Sequence, residues 1–320
     1  MTNILTITMN PALDVSTAVE EVHHTSKLRC EPMRRRAGGG GVTVARELHR
    51  LGADALAFYT AGHSTGRMMY NLLQQEGVPC HPFAIAGFPR ESFTVLERSS
   101  GHEYRFVLPG PEISQQEWEG ALVEIGQLCK PQSLVVASGS LPPGVPVDFF
   151  ARVSRVVQAA QGSLIVDTSG EPLQAALAHG LFMVKPSLHE LRDLCGEPLL
   201  RLHEVRDAAS ELVSAGNARI VVVSMGEMGA MLVTSEGSWY APPLQVAVHS
   251  AVGAGDSFVA GMVWALARHE SRVEAFAKGV ACATATLVST GSGLGDAEQV
   301  LELLKQVRCL KDFPDQELPV

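Results

Sequence analysis

Short apolar runs alternate with longer stretches of helical spacing along most of this 320-residue sequence. The runs are rich in β-branched residues and lack polar alternation, which is typical of strands covered on both faces. Strands are predicted at residues 4–9, 55–60, 134–137, 164–166, 182–184 and 220–223. Helices are predicted at residues 42–51, 116–128, 147–160 and 205–215. This order predicts an α/β fold, with a doubly wound, mostly parallel sheet and helices on both of its faces.

Two segments, at about residues 15–36 and 90–108, interrupt this alternation. In the second segment, apolar and polar residues alternate on both sides of a turn at residues 99–101, which predicts a hairpin with one exposed face. Together the segments predict a small projecting β-sheet, which serves as a lid over an active site or as an oligomer contact. No linker rich in Pro, Gly or Ser divides the chain, so residues 1–320 are expected to form a single domain with the lid segments inserted.

Net charge and cysteine spacing exclude several classes of protein. The formal charge of -9, with a pI near 5.7, argues against a surface that binds nucleic acid or a membrane of anionic lipid. The six cysteines contain no CxxC pair, so they are interpreted as thiols in a reducing cytoplasm and not as a zinc site or a disulfide framework. The N-terminus lacks an export pattern, and the uncharged stretch 279–295 is interpreted as a buried helix and loop because Thr, Ser and Gly dilute it. A soluble cytoplasmic protein is therefore expected.

Asp256 follows Gly253, Ala254 and Gly255 where a strongly helical stretch begins. Small residues at a helix start let backbone N–H groups converge, and the positive helix end suits an anion such as a transferring phosphate. A carboxylate in the same turn could take a proton from an attacking hydroxyl group. The alternative is that the glycines close a turn and Asp256 caps the helix, since Asp is a favoured N-cap residue.

Four consecutive glycines at residues 38–41 precede another predicted helix. They lack the Lys and the Ser or Thr of a P-loop, and they do not give the GxGxxG fingerprint of dinucleotide-binding proteins. Glycines bring the backbone close to another group. That group is either a ligand such as a sugar ring or another segment of the protein.

Two further strand ends carry candidate phosphate contacts. Ser224 and Gly226 follow a predicted strand, at the sheet edge where α/β proteins bind ligands. A plain hairpin turn is the competing interpretation. Lys185 and Glu190 follow another strand and offer a cation for phosphate and a carboxylate for hydrated Mg²⁺. The start of a surface helix would look much the same.

In this order and spacing, these segments resemble the PfkB, or ribokinase-like, family of carbohydrate kinases. Residues 6–14, 62–66 and 138–144 follow the same pattern, so the resemblance covers essentially the whole chain. Within the family the chain looks most like the ribokinase-type 6-phosphofructokinases, because four glycines stand where kinases of fructose 1-phosphate and tagatose 6-phosphate usually carry a Lys. Residues 26–30 and 104–110 strengthen this closer resemblance.

The resemblance implies ATP as phosphoryl donor, Mg²⁺ as cofactor and a β-lid shared across a homodimer. Asp256 would deprotonate the C1 hydroxyl of fructose 6-phosphate, with Gly253, Ala254 and Gly255 around the moving phosphoryl group. The implied contacts of the phosphorylated hexose are Asp14, Lys27, Gly39, Gly40, Thr43, Arg90, Arg105 and Ser140. Those of ATP are Lys185, Ser187, Ser224, Gly226 and Gly229, with Glu190 holding Mg²⁺ through water. Some members bind K⁺ near the positions of Ser250, Val252, Ser289 and Gly291.

Three positions depart from the family pattern. Thr43 and Ser187 stand where the family has Asn, and Ala251 stands where it usually has Thr. Tagatose 6-phosphate and fructose 1-phosphate therefore remain alternative acceptors, and a catalytically silent sugar-phosphate sensor remains an alternative function. A nicotinamide-dependent dehydrogenase would share the alternating strands and helices, but its glycine fingerprint does not match.

Overall fold

The computed structural model of the protein describes residues 3–289 and 296–319. Within these residues, thirteen strands form two sheets. The main sheet contains β1 (Ile4–Thr8), β4 (Ala55–Ala61), β5 (Cys80–Ala84), β8 (Leu134–Ser138), β9 (Ser163–Asp167), β10 (Leu181–Val184), β11 (Ala218–Ser224), β12 (Ala230–Thr234) and β13 (Gly237–Ala241). The second sheet, called the lid sheet below, contains β2 (Ala12–Val19), β3 (Arg34–Gly38), β6 (Arg90–Glu97) and β7 (Glu103–Val107).

The main sheet has the order β13-β12-β11-β10-β9-β8-β1-β4-β5. Its strands run parallel from β5 to β11, and β12 and β13 continue it as an antiparallel edge. All six predicted strands are present, within one or two residues of their predicted ends. The sheet is therefore mostly parallel, as the uninterrupted apolar runs predicted.

Ten helices surround the main sheet in the described part of the chain. They are α1 (Gly40–Arg50), α2 (His63–Glu76), α3 (Gln115–Leu128), α4 (Phe149–Ala159), α5 (Gly170–Leu177), α6 (Leu188–Cys195), α7 (Leu202–Ser214), α8 (Ala254–Leu266), α9 (Arg272–Val288) and α10 (Ala297–Leu304). Several begin where the sequence provides a capping box, as at Ser114 with Glu117 and at Ser271 with Glu274.

Alternate residues of each buried strand enter two separate apolar cores. Val135 and Ala137 of β8 pack in the core covered by α3 to α7, whereas Leu134 and Val136 pack in the core formed with α1, α2, α8 and α9. This division follows from the period of two along a strand. The predicted doubly wound arrangement, with helices on both faces, is confirmed.

The lid sheet has the order β3-β2-β6-β7, and β6 and β7 form the predicted antiparallel hairpin. Register places Val15, Phe93 and Phe106 side by side on one face, which is apolar. The opposite face is polar and carries Asp14 and Arg105. The strand β2 begins three residues before the predicted lid segment, because the chain leaves the main sheet directly into the lid sheet.

All six cysteines are free thiols. Among the described residues, none of the helices combines the length and apolar character that a membrane crossing requires.

Candidate active site

The carboxyl ends of the parallel strands meet the starts of α1 and α8 at one edge of the main sheet. Ser138, Asp167 and Ser224 are the last residues of β8, β9 and β11, and Lys185 directly follows β10. In open α/β sheets, this edge is where ligands bind. The lid sheet continues from the same edge, since β2 follows β1 after only three residues.

Asp256 lies in the first turn of α8, and its carboxylate is turned towards β8. The helix begins after Gly253, which has a φ of 83° and serves as N-cap. Ser138 Oγ donates a hydrogen bond of 3.3 Å to Asp256 Oδ1. Asp256 is therefore not the capping residue, and the capping alternative from the sequence is wrong. Its carboxylate instead lies at the sheet edge, in contact with Ser138.

Burial and neighbouring charge raise the pKa of Asp256 to about 7. Burial is the largest cause, and the Asp167 carboxylate adds to it, while Lys185 and the Ser138 hydroxyl favour the charged form. A general base is most effective when its pKa lies near the working pH, because it is then both available and basic. This environment suits a carboxylate that accepts a proton from a sugar hydroxyl.

Lys185 forms a buried ion pair with Asp167, at 3.1 Å from Nζ to Oδ1. Burial opposes the charge of Lys185, but the Asp167 carboxylate outweighs it, so the pKa of Lys185 is raised above its ordinary value. The ammonium also lies beside the start of α8, because a Cβ added to Gly255 would be 3.5 Å from Nζ. Lys185 is thus charged and close to the proposed path of the phosphoryl group.

The first turn of α8 can offer backbone donors to the same anion. The N–H of Ala254 has only a long bond of 3.3 Å to Ala251 O. The N–H groups of Gly255 and Asp256 have no partner within the helix, because the first turn of any helix lacks one. With the positive helix end and the Lys185 ammonium, these groups offer a candidate anion hole beside the Asp256 carboxylate.

The four glycines at residues 38–41 approach the protein itself very closely. A Cβ on Gly38 would lie 1.9 Å from Asp14 Oδ2, and one on Gly40 would lie 2.1 Å from Ser138 Oγ. Gly39 has a φ of 103°, which favours glycine independently of space. Contacts with protein therefore explain why these positions lack side chains. Sugar contacts of Gly39 and Gly40 stay a prediction.

Thr43 joins the glycine loop to the start of α8. Its N–H donates to Gly39 O at 2.8 Å, and a Cβ on Gly253 would lie 3.8 Å from Thr43 Cγ2. The residue that replaces the family Asn thus lies where the two helix starts meet. It is placed to influence the acceptor site and the anion hole together.

The polar face of the lid sheet brings cations close to Asp14. Burial raises the pKa of Asp14, while Arg105, Arg90, Arg46 and Arg36 act in the opposite direction. Arg90 also donates from Nε to Asn10 O at 3.3 Å. Lys27 is exposed on the segment between β2 and β3, and within the described chain it makes no hydrogen bond or ion pair. The structure therefore groups Asp14 with the two arginines but not with Lys27.

Asn10 connects the end of β1 to Ser140. Its Nδ2 donates to Ser140 Oγ at 3.0 Å, whereas its buried Oδ1 has no hydrogen-bond partner within the described residues. Buried polar atoms are usually paired, so an unpaired acceptor at a ligand-binding edge is notable. The buried amide of Asn10 thus positions the Ser140 hydroxyl at this edge.

A cavity of about 660 Å³ lies at the start of α8. It is lined by the predicted ATP contacts Ser224, Gly226 and Gly229, and by Ala254 and Gly255 of the anion hole. Its remaining wall is mostly apolar, with Pro243, Leu244, Val246, Val248, Phe258, Val280, Ala283 and Leu287. A ligand with an apolar ring at one end and phosphates at the other would fit this gradient.

The hairpin alternative for this region is correct, and phosphate contacts of Ser224 and Gly226 stay a prediction. The strands β11 and β12 are antiparallel and joined by a 3-10 turn at Gly226–Met228. The turn forms part of the cavity wall. One segment is therefore both a hairpin turn and part of a ligand cavity.

Glu190 forms a capping box with Ser187 at the start of α6. Ser187 N–H donates to Glu190 Oε2 at 2.7 Å, and Glu190 N–H donates to Ser187 Oγ at 3.2 Å. Its charge acts on both Lys185 and Asp167. Among the described residues, no cluster of three or more His, Cys, Asp or Glu side chains could hold a metal ion. These carboxylates fit Mg²⁺ carried mainly by substrate phosphates and water.

The predicted K⁺ region is only partly described. Ser250 Oγ accepts from Val252 N–H at 3.3 Å, and Ser289 ends α9 and donates from Oγ to Ala285 O at 2.9 Å. Gly291 lies outside the described residues. Carbonyl ligation of K⁺ stays a prediction.

Three site residues received no role from the sequence: Asn10, Ser138 and Asp167. All three are at the ends of parallel strands or directly after them. The rule that selected Lys185 and Ser224 would also have selected them. Their hydrogen bonds with Ser140, Asp256 and Lys185 depend on tertiary structure, which sequence spacing does not reveal.

Named relatives cover nearly all of the chain. The ATP-dependent 6-phosphofructokinase isozyme 2 of Mycobacterium tuberculosis (strain H37Rv) is 42% identical over 303 residues, which cover 94% of this chain and 89% of that protein. The isozyme 2 of Escherichia coli K12 is 38% identical, with 92% and 95% covered. The 1-phosphofructokinase of Xanthomonas campestris is 33% identical, with 86% and 87% covered.

Solved structures agree with these relatives. Phosphofructokinase-2 of Escherichia coli in complex with potassium superposes with a TM-score of 0.92 at 36% identity, covering 96% of this chain and 99% of that one. Its complex with fructose-6-phosphate gives a TM-score of 0.91 with the same identity and coverage. The sequence model of the pfkB family of carbohydrate kinases matches residues 6–299. This chain therefore belongs to the PfkB family of carbohydrate kinases.

Proposed function

We propose that this protein transfers the γ-phosphoryl group of ATP to the C1 hydroxyl of fructose 6-phosphate, giving ADP and fructose 1,6-bisphosphate in glycolysis. The observation that carries the proposal is the Asp256 carboxylate, with a pKa of about 7, at the start of α8 beside the Lys185 ammonium. A base and an anion hole are thereby placed side by side. Phosphoryl transfer requires this alignment and charge neutralisation more than covalent catalysis.

In the proposed mechanism, Asp256 accepts the proton of the C1 hydroxyl while the hydroxyl oxygen forms a bond to the γ-phosphorus of ATP. The bond from that phosphorus to the bridging oxygen breaks, and ADP leaves with the electron pair. The N–H groups of Gly255 and Asp256, together with Lys185, stabilise the charge on the moving group. Mg²⁺, held by the phosphates and through water by Glu190, would supply further neutralisation.

The lid sheet supplies the cations for the 6-phosphate in this proposal. Arg90 and Arg105 lie on its polar face, and both act electrostatically on Asp14. A guanidinium fork matches the geometry of phosphate oxygens. Asp14 would hold sugar hydroxyls beside them. The two more similar relatives are both named 6-phosphofructokinase, which supports fructose 6-phosphate over the acceptor named in the third.

Coupled ADP release with purified enzyme tests the acceptor directly. The panel contains fructose 6-phosphate, fructose 1-phosphate and tagatose 6-phosphate, each with MgCl₂ and with or without KCl. We expect the highest kcat/KM with fructose 6-phosphate. Preference for fructose 1-phosphate would replace the acceptor while keeping the kinase chemistry. Tight binding of ATP and fructose 6-phosphate with no ADP formed would indicate the silent sensor.

A second copy of the chain is the partner that fits the apolar face of the lid sheet. Phe93 is 39% exposed and Phe106 is 58% exposed, and they are cross-strand neighbours on that face. Exposed aromatic side chains in a contiguous row are typical of protein interfaces. Light scattering should show a dimer for the wild type and a monomer for Phe106→Lys. A monomeric wild type would contradict this assignment.

Two finer assignments follow from the same proposal. K⁺ would bind at backbone carbonyls near Ser250 and Val252, and its effect would appear in the KCl arm of the ADP assay. A cytoplasmic location is supported by the six free thiols, since disulfides persist mainly in oxidising compartments.

A further inference from the structure

The segment between β13 and α8 forms one wall of the nucleotide cavity without belonging to a strand or helix. Val246, Val248 and Ala251 line the cavity. The segment is tied to α9 by two backbone bonds to Leu287 O, from His249 N at 2.8 Å and from Ser250 N at 3.4 Å. Few backbone bonds hold this wall, so additional contacts decide how well it is ordered.

One additional contact comes from the lid sheet. Ser250, which is 6% exposed, donates from Oγ to Glu103 Oε2 at 3.3 Å. The same hydroxyl accepts the N–H of Val252, one residue before the N-cap of α8. The Glu103 carboxylate therefore holds the hydroxyl that orders the turn into the anion hole.

Glu103 and Arg105 lie on the same face of β7. Glu103 pairs with Leu96 and Arg105 pairs with Thr94, so the two residues are separated by one full period of the strand. That face is the polar face, which also carries Asp14 and Arg90. One short strand thus reaches the acceptor side through Arg105 and the nucleotide wall through Glu103.

We propose that Glu103 is a positioning residue that joins the lid sheet to the nucleotide wall at residues 246–252. Sugar phosphate held by Arg105 fixes β7, and β7 then fixes the wall through the Glu103–Ser250 hydrogen bond. Binding of the acceptor and of the nucleotide is consequently cooperative, and each increases the affinity for the other by the same factor. This coupling rests on the proposed function for its acceptor, whereas the anchoring of the wall does not.

Calorimetry of the purified protein with MgCl₂ measures the Kd of a non-hydrolysable ATP analogue, first without and then with saturating fructose 6-phosphate. The coupling factor is the first Kd divided by the second. In Glu103→Ala the factor should fall about three- to tenfold, the range for one lost hydrogen bond at an exposed charged acceptor. Glu103→Gln should retain most of it, because its carbonyl still accepts from Ser250. Glu21→Ala removes an exposed lid carboxylate elsewhere and serves as the matched control.

A double-mutant cycle with Ser250→Ala identifies the contact. If the hydrogen bond transmits the coupling, Ser250→Ala lowers the factor at least as much as Glu103→Ala, because it also removes the acceptor of the Val252 N–H. The double variant then lowers the factor no further than Ser250→Ala alone. An unchanged factor in Glu103→Ala would overturn the coupling, as would equal losses in the Ala and Gln variants of Glu103.

Hydrogen exchange tests the anchoring without any acceptor. In the free protein, amides at residues 246–252 should exchange faster in Glu103→Ala than in the wild type, Glu103→Gln or Glu21→Ala. Equal exchange in all four would overturn the anchoring role of Glu103. If fructose 6-phosphate neither binds nor reacts while exchange still responds to Glu103, then the acceptor assignment fails and the anchoring stands.

Discussion

Ser138→Ala should move the pH dependence of catalysis in a direction set by the Asp256 environment. Asp256 must be ionised to accept a proton, and its pKa is raised to about 7 by burial and by Asp167. The Ser138 hydroxyl donates to the carboxylate and favours the ionised form. Removing this donor should raise the pKa further, so the acid limb of the activity profile should move to higher pH.

The expected loss of kcat/KM at low pH follows from the ionised fraction of Asp256. With a pKa of about 7, only about a tenth of Asp256 is ionised at pH 6, and about nine tenths at pH 8. The kcat/KM of the wild type at pH 6 should therefore be roughly a tenth of its plateau. The variant should match the wild type at the alkaline plateau and fall below it at pH 6 to 7.

The assay is coupled ADP release from pH 5.5 to 9, at low substrate concentration so that kcat/KM is measured. Phosphate groups of the substrates titrate in the same range, with pKa values near about 6. The wild type and Ser138→Ala share these substrates, so the displacement between their profiles isolates the enzyme group. Coincident acid limbs, or a wild-type limb below about pH 5, would refute the assignment of the base.

Three further predictions concern Asp256, Glu47 and Gly40. Asp256→Asn should melt and bind ATP like the wild type but lose about 10²–10⁴ in kcat; near-native turnover would contradict its role. Glu47 is fully buried, neither of its oxygens has a hydrogen-bond partner among the residues that the structure describes, and burial raises its pKa to about 7. Because this pKa exceeds the unfolded value of 4.5, the stability from its bound proton is complete below about pH 4.5 and lost as pH rises through 7. Asp256, whose pKa is also about 7, adds a loss in the same range to the wild type and to Glu47→Gln alike. In urea unfolding, the wild type should therefore lose about 1 kcal/mol more than Glu47→Gln from pH 6 to 8, and equal losses would contradict the assignment. In Gly40→Ala, the new Cβ would meet Ser138 Oγ at 2.1 Å, so urea unfolding should be easier by about 1–3 kcal/mol, and more so than in Gly120→Ala, where the nearest atom is Phe83 Cζ at 3.3 Å.

The main sheet was predictable because its signal is local. Runs such as residues 220–223 are apolar and β-branched without interruption, and only burial on both faces accommodates that pattern. The hairpin of β6 and β7 was equally readable, because alternation on both sides of a short turn leaves few other structures.

Roles of site residues could be predicted only where the residue type and its neighbours in sequence indicate a chemical function. Asp256 and Lys185 stand after small residues or a strand, so a role could be assigned to each. Asp167 received none, since its pairing with Lys185 joins two strands and cannot be read from either alone. The apolar wall of the nucleotide cavity was also missed, because Val246 and Val280 look like ordinary core residues in sequence.

Alternate residues of β7 point to two sheet faces that have different proposed roles. Arg105 lies on the polar face with Asp14, where the acceptor is proposed to bind, while its neighbour Phe106 lies on the apolar face of the proposed subunit contact. Inserting one residue before Arg105 would exchange the two directions, because the side-chain period of a strand is two. Insertions and deletions are therefore expected in the turn at residues 98–102 and not within β7, because only the turn can change length without exchanging the two faces of the strand.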